Sequence, residues 1–198
     1  MFVIRSGAEN KYWLKYGRRW ADSLHHFVPN CKVEVHLINP TDKVYEDANK
    51  FCDAVDITET NLDPVVYSTY ARFLNTRENQ ATLWCDIDGY ATSKMIDIDI
   101  ENMFYKKPVL RFTRFKGGQW KHGFWLFGSK CPNIINGVKN IVLHTISYNF
   151  RWGTDVEVNN YLEQFDQYKV DGICGSIWRF FTTEEKQVKL LEDTIIYD

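Results

Sequence analysis

Leu83-Trp84-Cys85-Asp86-Ile87-Asp88-Gly89 is an apolar run that closes on two carboxylates one residue apart and then a glycine. Side chains two apart on a strand share a face, so Asp86 and Asp88 can converge on one cation where such a strand ends. Paired hard oxygen donors suit a divalent metal that itself carries a phosphate group. The same pattern also arises as a strand-end turn with solvated carboxylates, and two unrelated enzyme classes end a strand this way. The residues on either side must decide between them.

Immediately upstream, Pro64 to Glu78 carries Val65, Val66, Tyr70, Phe73 and Leu74 at helical spacing, with Asp63 placed as an N-cap and Pro64 in the first turn. That helix feeds a strand expected over Ala81 to Asp86. Further back, Ala54 to Ile57 reads as a short strand, and Lys32 to Ile38 alternates Val33, Val35 and Leu37 against polar residues until Asn39-Pro40 ends it. Asn10 to Phe27 reads as a helix built on Trp13, Leu14, Tyr16, Trp20, Leu24 and Phe27 and stopped by Pro29-Asn30. Met1 to Arg5 reads as a strand that Ser6-Gly7 breaks into a turn.

Strand and helix therefore alternate up to the motif, which predicts an α/β, Rossmann-like domain whose sheet begins parallel and is flanked by helices. In such sheets ligands bind beyond the carboxyl ends of the strands, where Asp86 and Asp88 stand. Downstream, Pro108 to Phe115 and His122 to Phe127 read as strands that make the sheet mixed, and Asn133 to Ser147 reads as a helix. Asp155 to Phe165 reads as another helix, capped by Thr154 or Asp155. No repeat or low-complexity linker interrupts the chain, so residues 1–198 are expected to form a single domain.

Composition narrows the class of partner. A net charge of −2 supplies no field that would attract nucleic acid by bulk electrostatics. No run of 18 apolar residues exists to span a membrane, and Met1 to Ala8 is too short for a signal peptide. The five cysteines are dispersed, odd in number and never in a C-x-x-C pair, which points to reduced thiols and a cytoplasmic protein. Aromatic residues reach 16%, so rings for stacking a base or a sugar are available, as they are for filling a core.

Tyr70-Ala71-Arg72-Phe73-Leu74, about a dozen residues, and then Leu83-Trp84-Cys85-Asp86-Ile87-Asp88 resembles the centre of the GT-A glycosyltransferases. The pattern is most similar to the retaining family that contains glycogenin and the bacterial galactosyltransferases of lipopolysaccharide synthesis. In that family an arginine before the motif strand helps to hold the nucleotide-sugar site, and the D-x-D carboxylates hold a divalent metal, usually Mn²⁺, against the diphosphate. The resemblance implies a nucleotide-diphospho-sugar transferase fold and gives these roles to Arg72, Asp86 and Asp88, with Ile87 beside the donor. It implies hexosyl transfer with retention, from a UDP-sugar in preference, assisted by Mn²⁺ or Mg²⁺.

Two further segments resemble the family less closely. His122-Gly123-Phe124-Trp125-Leu126-Phe127 stands where family members have a strand with a small residue near the donor sugar. Thr154-Asp155-Val156-Glu157-Val158-Asn159-Asn160 stands for D-Q-D-x-x-N, keeping the first acid and the asparagine, which makes Asp155 the residue implied near the reacting centre. The C-terminal H-x-x-G-x-x-K-P-W, whose histidine completes the metal site, has no counterpart. Asp171, in Val170-Asp171-Gly172, is the substitute considered; a metal held by fewer protein ligands is the alternative.

A departing nucleoside diphosphate gains negative charge, which a metal on Asp86 and Asp88 would neutralise; Arg72, with Lys116 or Lys121, would add positive charge. The base and ribose are expected over the end of the first strand, from Arg5 and Ser6 to Ala8, and near Asp56. The acceptor is open between a glycan, a protein and a modified nucleic-acid base. Trp120, Trp125 and Trp152 are equally readable as stacking platforms and as core. His25-His26 reads as a solvated pair, His122 as packed, and Asp155 first as a helix cap.

Two rivals remain. Asp86-Ile87-Asp88-Gly89 followed by Thr92 is close to the D-x-D-G-T of haloacid-dehalogenase-class phosphatases, with Asp86 as nucleophile. That class places the motif on its first strand, whereas alternating elements precede it here. The other rival is a nucleotide-sugar-binding domain that has lost turnover.

Overall fold

The computed structural model describes residues 2–75, 80, 82–92, 111–114, 120–127, 132–153, 158 and 181–182. In chain order the elements are β1 (Phe2–Glu9), α1 (Asn10–Tyr12), a π-helical segment (Trp13–Gly17), α2 (Arg18–Phe27), β2 (Cys31–Ile38), α3 (Asp42–Phe51) and β3 (Ala54–Thr58). Then come α4 (Pro64–Leu74), β4 (Thr82–Cys85), β5 (Tyr90–Ala91), β6 (Arg111–Arg114), β7 (Trp120–Phe127), α5 (Pro132–Tyr148) and β8 (Phe181–Thr182).

One sheet orders its strands β3-β2-β1-β4-β7-β6. The first four are parallel, while β7 runs antiparallel to β4 and β6 antiparallel to β7. The mixed α/β sheet expected from the alternation is thus present. A second pair, β5 with β8, is antiparallel. The strand order reverses between β1 and β4, because β2 and β3 extend to one side of β1 and β4 lies on the other. At such a switch point the chain leaves the two strand ends in opposite directions and a crevice opens beyond them.

Helices cover both faces, which explains why β1 reads as almost continuously buried. On one face Phe2, Ile4 and Ala8 of β1, Val33, Val35 and Leu37 of β2, and Leu83 and Cys85 of β4 pack with Trp13, Trp20, Leu24, Val44 and Ala48 from α2, α3 and the π-helical segment. On the other, Ile38 and Trp84 pack with Val66, Tyr70 and Phe73 of α4 and Val138 and Val142 of α5.

α4 begins where the sequence places it: Asp63 accepts from the backbone N–H groups of Val65 and Val66, and Pro64 occupies the first turn. Ser6-Gly7, by contrast, is not a turn; β1 runs through it to Glu9. The glycine serves close packing here, because a Cβ on Gly7 would lie 2.7 Å from the carbonyl oxygen of Ser68 in α4. The expected single helix after β1 is also interrupted by the π-helical segment. There Gly17 lies under the Trp13 ring so tightly that a Cβ would sit 2.3 Å from it. The helix expected from Asp155 lies outside the described residues apart from Val158, which is helical and buried.

Candidate functional site

β4 stops at Cys85, so Asp86 and Asp88 stand on the turn that follows the strand, not on the strand itself. Ile87 between them is buried in the core, and the Gly89 N–H donates to the Asp86 carbonyl at 3.0 Å. The turn is pinned from behind as well. The Trp20 indole N–H donates to Cys85 Sγ at 3.1 Å, and the Ala91 N–H donates to Ser23 Oγ at 3.1 Å. An anchored apolar residue between two outward carboxylates gives the pair a fixed separation.

α4 supplies the cation. Val65, Ser68, Thr69 and Arg72 share one helical face, and that face borders the crevice. Arg72 is 9% exposed; its Nε donates to the Thr69 carbonyl at 3.0 Å and its Nη2 donates to Asp86 Oδ1 at 2.8 Å. Asp88, three residues beyond Cys85, is half-buried. Its carboxyl is pushed above the ordinary carboxylate range, first by burial and then by the charge of Asp86; a backbone N–H, Arg72 and Lys15 oppose the shift. The two acids are therefore inequivalent: Asp86 is ion-paired with Arg72, and Asp88 is the more easily protonated.

These groups border a cleft of about 340 Å³ beyond the ends of β1 and β4, which places it at the switch point. Ser6 and Trp84 line it, while their Oγ and Nε1 atoms are buried and have no hydrogen-bond partner among the described residues. Leaving such a group unpaired costs about 1–3 kcal/mol. Tyr12 and Trp152 stand at the cleft as exposed rings. Tyr12 is held at its helix start by Glu9, whose carboxylate accepts from the N–H groups of Lys11 and Tyr12 at 2.9 and 3.0 Å. Trp13 next to it donates its indole N–H to Asp47 at 3.0 Å, and Asp47 also accepts from Arg18 Nε at 3.0 Å.

Of the residues singled out from sequence, Ser6, Arg72, Asp86, Ile87 and Asp88 meet at this cleft. Arg5 lies behind it. Buried at 1% exposure, it pairs with Asp56, lies 3.8 Å from Glu34, donates to the Asn75 carbonyl at 3.3 Å and stacks 5.2 Å over the Trp84 ring. Its route to the cleft is through Trp84, and Asp56 faces Arg5 and does not border the cleft. Asp155 and Asp171 lie outside the described residues, as do Lys116 and the side chains of Trp120, Lys121, His122 and Trp125. Among the described residues no group of three His, Cys, Asp or Glu side chains gathers to hold a metal.

Sequence reasoning missed Tyr12, Ser68, Thr69 and Trp84 at the cleft. Ser68 and Thr69 were legible in principle, since they precede Arg72 by four and three residues on a predicted helix. The unpaired indole of Trp84 had no sequence signal.

Solved structures of similar fold include three glycosyltransferases. The chain matches the glycosyltransferase GlyE of Streptococcus pneumoniae TIGR4 with a TM-score of 0.57 and 15% identity, over 87% of this chain and 45% of GlyE. It matches the galactosyltransferase LgtC, solved with donor and acceptor sugar analogs, with a TM-score of 0.56 and 13% identity, over 81% of this chain and 69% of LgtC. Mouse xyloside xylosyltransferase 1 follows with a TM-score of 0.51 and 10% identity, over 86% and 84% of the two chains. The chain spans less than half the length of GlyE. No protein-family model and no curated protein sequence matches it. The likeness is one of fold, and that fold is the GT-A glycosyltransferase architecture.

Proposed function

We propose that this domain, taken over all 198 residues, binds a nucleoside-diphosphate sugar, a UDP-sugar in preference, and transfers the sugar to an acceptor with the help of Mn²⁺ or Mg²⁺. The observation that carries the reading is the placement of Asp86, Asp88 and Arg72 on one cleft at the strand-order switch point. A diphosphate needs opposite charge on more than one side. Arg72 offers one cation, and two carboxylates with hard oxygens are a donor set that fits a divalent metal whose other ligands are phosphate oxygens and water. Bound there, the metal would supply Lewis-acid stabilisation of the leaving diphosphate.

The chain's own groups do the rest. Arg72 fixes the orientation of Asp86, and Tyr12 offers a ring on which a base can stack. In the transfer the bond from the anomeric carbon to the diphosphate oxygen breaks and the diphosphate keeps the electron pair. An acceptor hydroxyl oxygen takes its place and gives up its proton to water. Asp155, near the reacting centre, and Asp171, as a further metal ligand, belong to this reading on sequence grounds. So does the nucleotide role of Arg5 and Asp56, which Arg5 would exert by holding Trp84.

A cytoplasmic setting is also part of the reading. Cys31, Cys52 and Cys85 are free thiols; burial pushes Cys31 up to about 12 and the other two higher still, which makes them inert. No helix among the described residues is long and apolar enough to cross a membrane.

The test is incubation with Mn²⁺ and a panel of UDP- and GDP-sugars while free nucleoside diphosphate is followed. Metal-dependent release that is lost in Asp88→Asn is the expected result. Hydrolysis of a phosphomonoester that disappears in Asp86→Asn, with no release from any nucleotide sugar, would overturn the reading.

A further inference from the structure

The helical stretch that follows β1 runs alongside the turn carrying Asp86 and Asp88, and its side chains mark the path. Tyr12 lines the cleft. Tyr16 meets the Tyr12 ring with centroids 5.8 Å apart and packs on the core cluster to which Ile87 and Tyr90 belong. Trp20 reaches Cys85 Sγ at 3.1 Å, and Ser23 Oγ accepts from the Ala91 N–H at 3.1 Å. Tyr12 and Trp20 stand eight positions apart. On an unbroken α-helix, at about 100° per residue, they would point about 80° apart. The π-helical segment Trp13–Gly17 takes up roughly one extra residue, which brings both rings back to the side of the strand ends. The segment is held in place, because Trp13 lies over Gly17 and donates to Asp47, which also accepts from Arg18.

Lys15 lies inside that widened turn. It is exposed, and its Nζ stands 4.6 Å from the centroid of the Tyr16 ring, so its charge is carried on a ring packed against the core beneath the motif turn. The Asp88 carboxyl feels this charge: burial raises it above the ordinary range and Asp86 raises it further, while a backbone N–H, Arg72 and Lys15 oppose the rise. Two cations therefore reach the carboxylate pair, Arg72 from α4 on one face of the sheet and Lys15 from the π-helical segment on the other. Their situations differ. Arg72 is nearly buried and is joined to Asp86, whereas Lys15 is a compact charge on a long flexible stem in solvent. A fixed cation aims a carboxylate, and a flexible one follows an incoming anion.

We propose that Lys15 is a ligand-binding residue of the cleft, donating from Nζ to a phosphate oxygen of a metal-bound diphosphate on the side away from Arg72. The assignment rests on the donor reading above for the diphosphate and on the π-helical segment for the lysine. Lys15 then acts with opposite signs in two states. Before a polyanion arrives it is a cation near Asp88 and works against the entry of Mn²⁺; afterwards the same cation holds the polyanion.

The experiment is titration calorimetry on the full chain with Mn²⁺ alone, and then with inorganic pyrophosphate and with UDP at saturating Mn²⁺. It compares the wild type with Lys15→Met, Lys15→Arg and Arg19→Met, the last removing another exposed cation of the same helical stretch; melting curves of each protein control for folding. Lys15→Met should bind Mn²⁺ alone about two- to fivefold more tightly, yet bind pyrophosphate and UDP about tenfold more weakly. Lys15→Arg should keep most of the affinity, and Arg19→Met should stay within about twofold of the wild type. A lysine with a merely structural role would not move the two affinities in opposite directions. Equal polyphosphate affinity in wild type and Lys15→Met, weaker Mn²⁺ binding in Lys15→Met, or an equal loss in Arg19→Met would overturn the assignment and leave the donor reading standing. Wild-type protein that binds pyrophosphate through Lys15 but ignores UDP would count against the nucleotide and support the lysine; wild-type protein that binds neither would overturn both.

Discussion

Arg72 and Asp86 are joined across 2.8 Å, a contact that ties α4 to the turn after β4 at the point where the sheet order reverses. Arg72 is nearly buried, whereas Asp86 keeps 40% of its side chain in solvent. The pair therefore works less as a stability element than as a means of aiming one carboxylate oxygen while leaving the other available. Arg72→Met should reduce transfer about 10²–10³-fold, and Arg72→Lys should recover little of it, because a point charge does not reproduce the paired Nε and Nη2 geometry. Single-turnover kinetics on both variants checks this; full activity in Arg72→Lys would show that charge alone suffices.

Asp88 gives a prediction with opposite signs in two assays. A carboxyl whose folded pKa is raised binds its proton more tightly in the fold, so its stabilising contribution is present at acid pH and is lost as pH rises through the raised value. Asp88→Asn, which is permanently neutral, should raise the metal-free melting temperature at pH 7 and abolish the stabilisation given by UDP with Mn²⁺. For the wild type, that stabilisation should grow as pH rises through the Asp88 titration. Melting curves from pH 4 to 8, with and without the ligand, measure both.

Asp47 titrates the other way. Its hydrogen bond from Arg18 holds its carboxyl below the ordinary value near 3.8, so it stabilises the fold above that value and ceases to as pH falls through its lowered one. Asp47→Asn should lower the melting temperature at pH 7 and differ less from wild type in acid. Since Asp47 also holds Trp13 beside Tyr12, the variant should bind UDP more weakly. An unchanged UDP affinity would separate this anchor from the cleft.

Gly7 tests the approach of α4 to β1. Gly7→Ala places a Cβ 2.7 Å from the Ser68 carbonyl, and shifting the helix to relieve the contact should cost about 1–3 kcal/mol. Urea unfolding measures that loss. A neutral outcome would mean that α4 can move without cost, contrary to the packing described.

Trp84→Phe removes one N–H and keeps most of the ring. The apo fold should be unharmed or slightly more stable, since an unpaired buried donor disappears, and UDP affinity should stay unchanged, because that N–H is buried away from the cleft. Isothermal titration on the variant shows whether the indole meets a ligand.

Much of this arrangement was legible before any coordinates. The Asp63-Pro64 start of α4, the alternation of β2 and the strand leading to Asp86 are local signals, and local signals survive folding. What escaped depends on partners distant in sequence. Ser6-Gly7 looks like a turn until Ser68 is placed beside it, and nothing local shows that the ring of Trp13 lies over Gly17 in a π-helical segment. Arg5 looks like a ligand residue at a strand end; only the sheet order shows it facing Glu34 and Asp56 from neighbouring strands. The carboxylate pair borders the cleft, but its place on a turn pinned by Trp20 and Ser23 comes from tertiary contacts.

In the function proposed above, Asp86 and Asp88 hold a divalent metal against a nucleoside diphosphate. Isothermal titration of UDP into the protein, once with Mn²⁺ and once with EDTA, tests it most directly. Binding should require Mn²⁺ and be lost in both Asp86→Asn and Asp88→Asn. UDP binding of equal strength in EDTA, or in either variant, would contradict it.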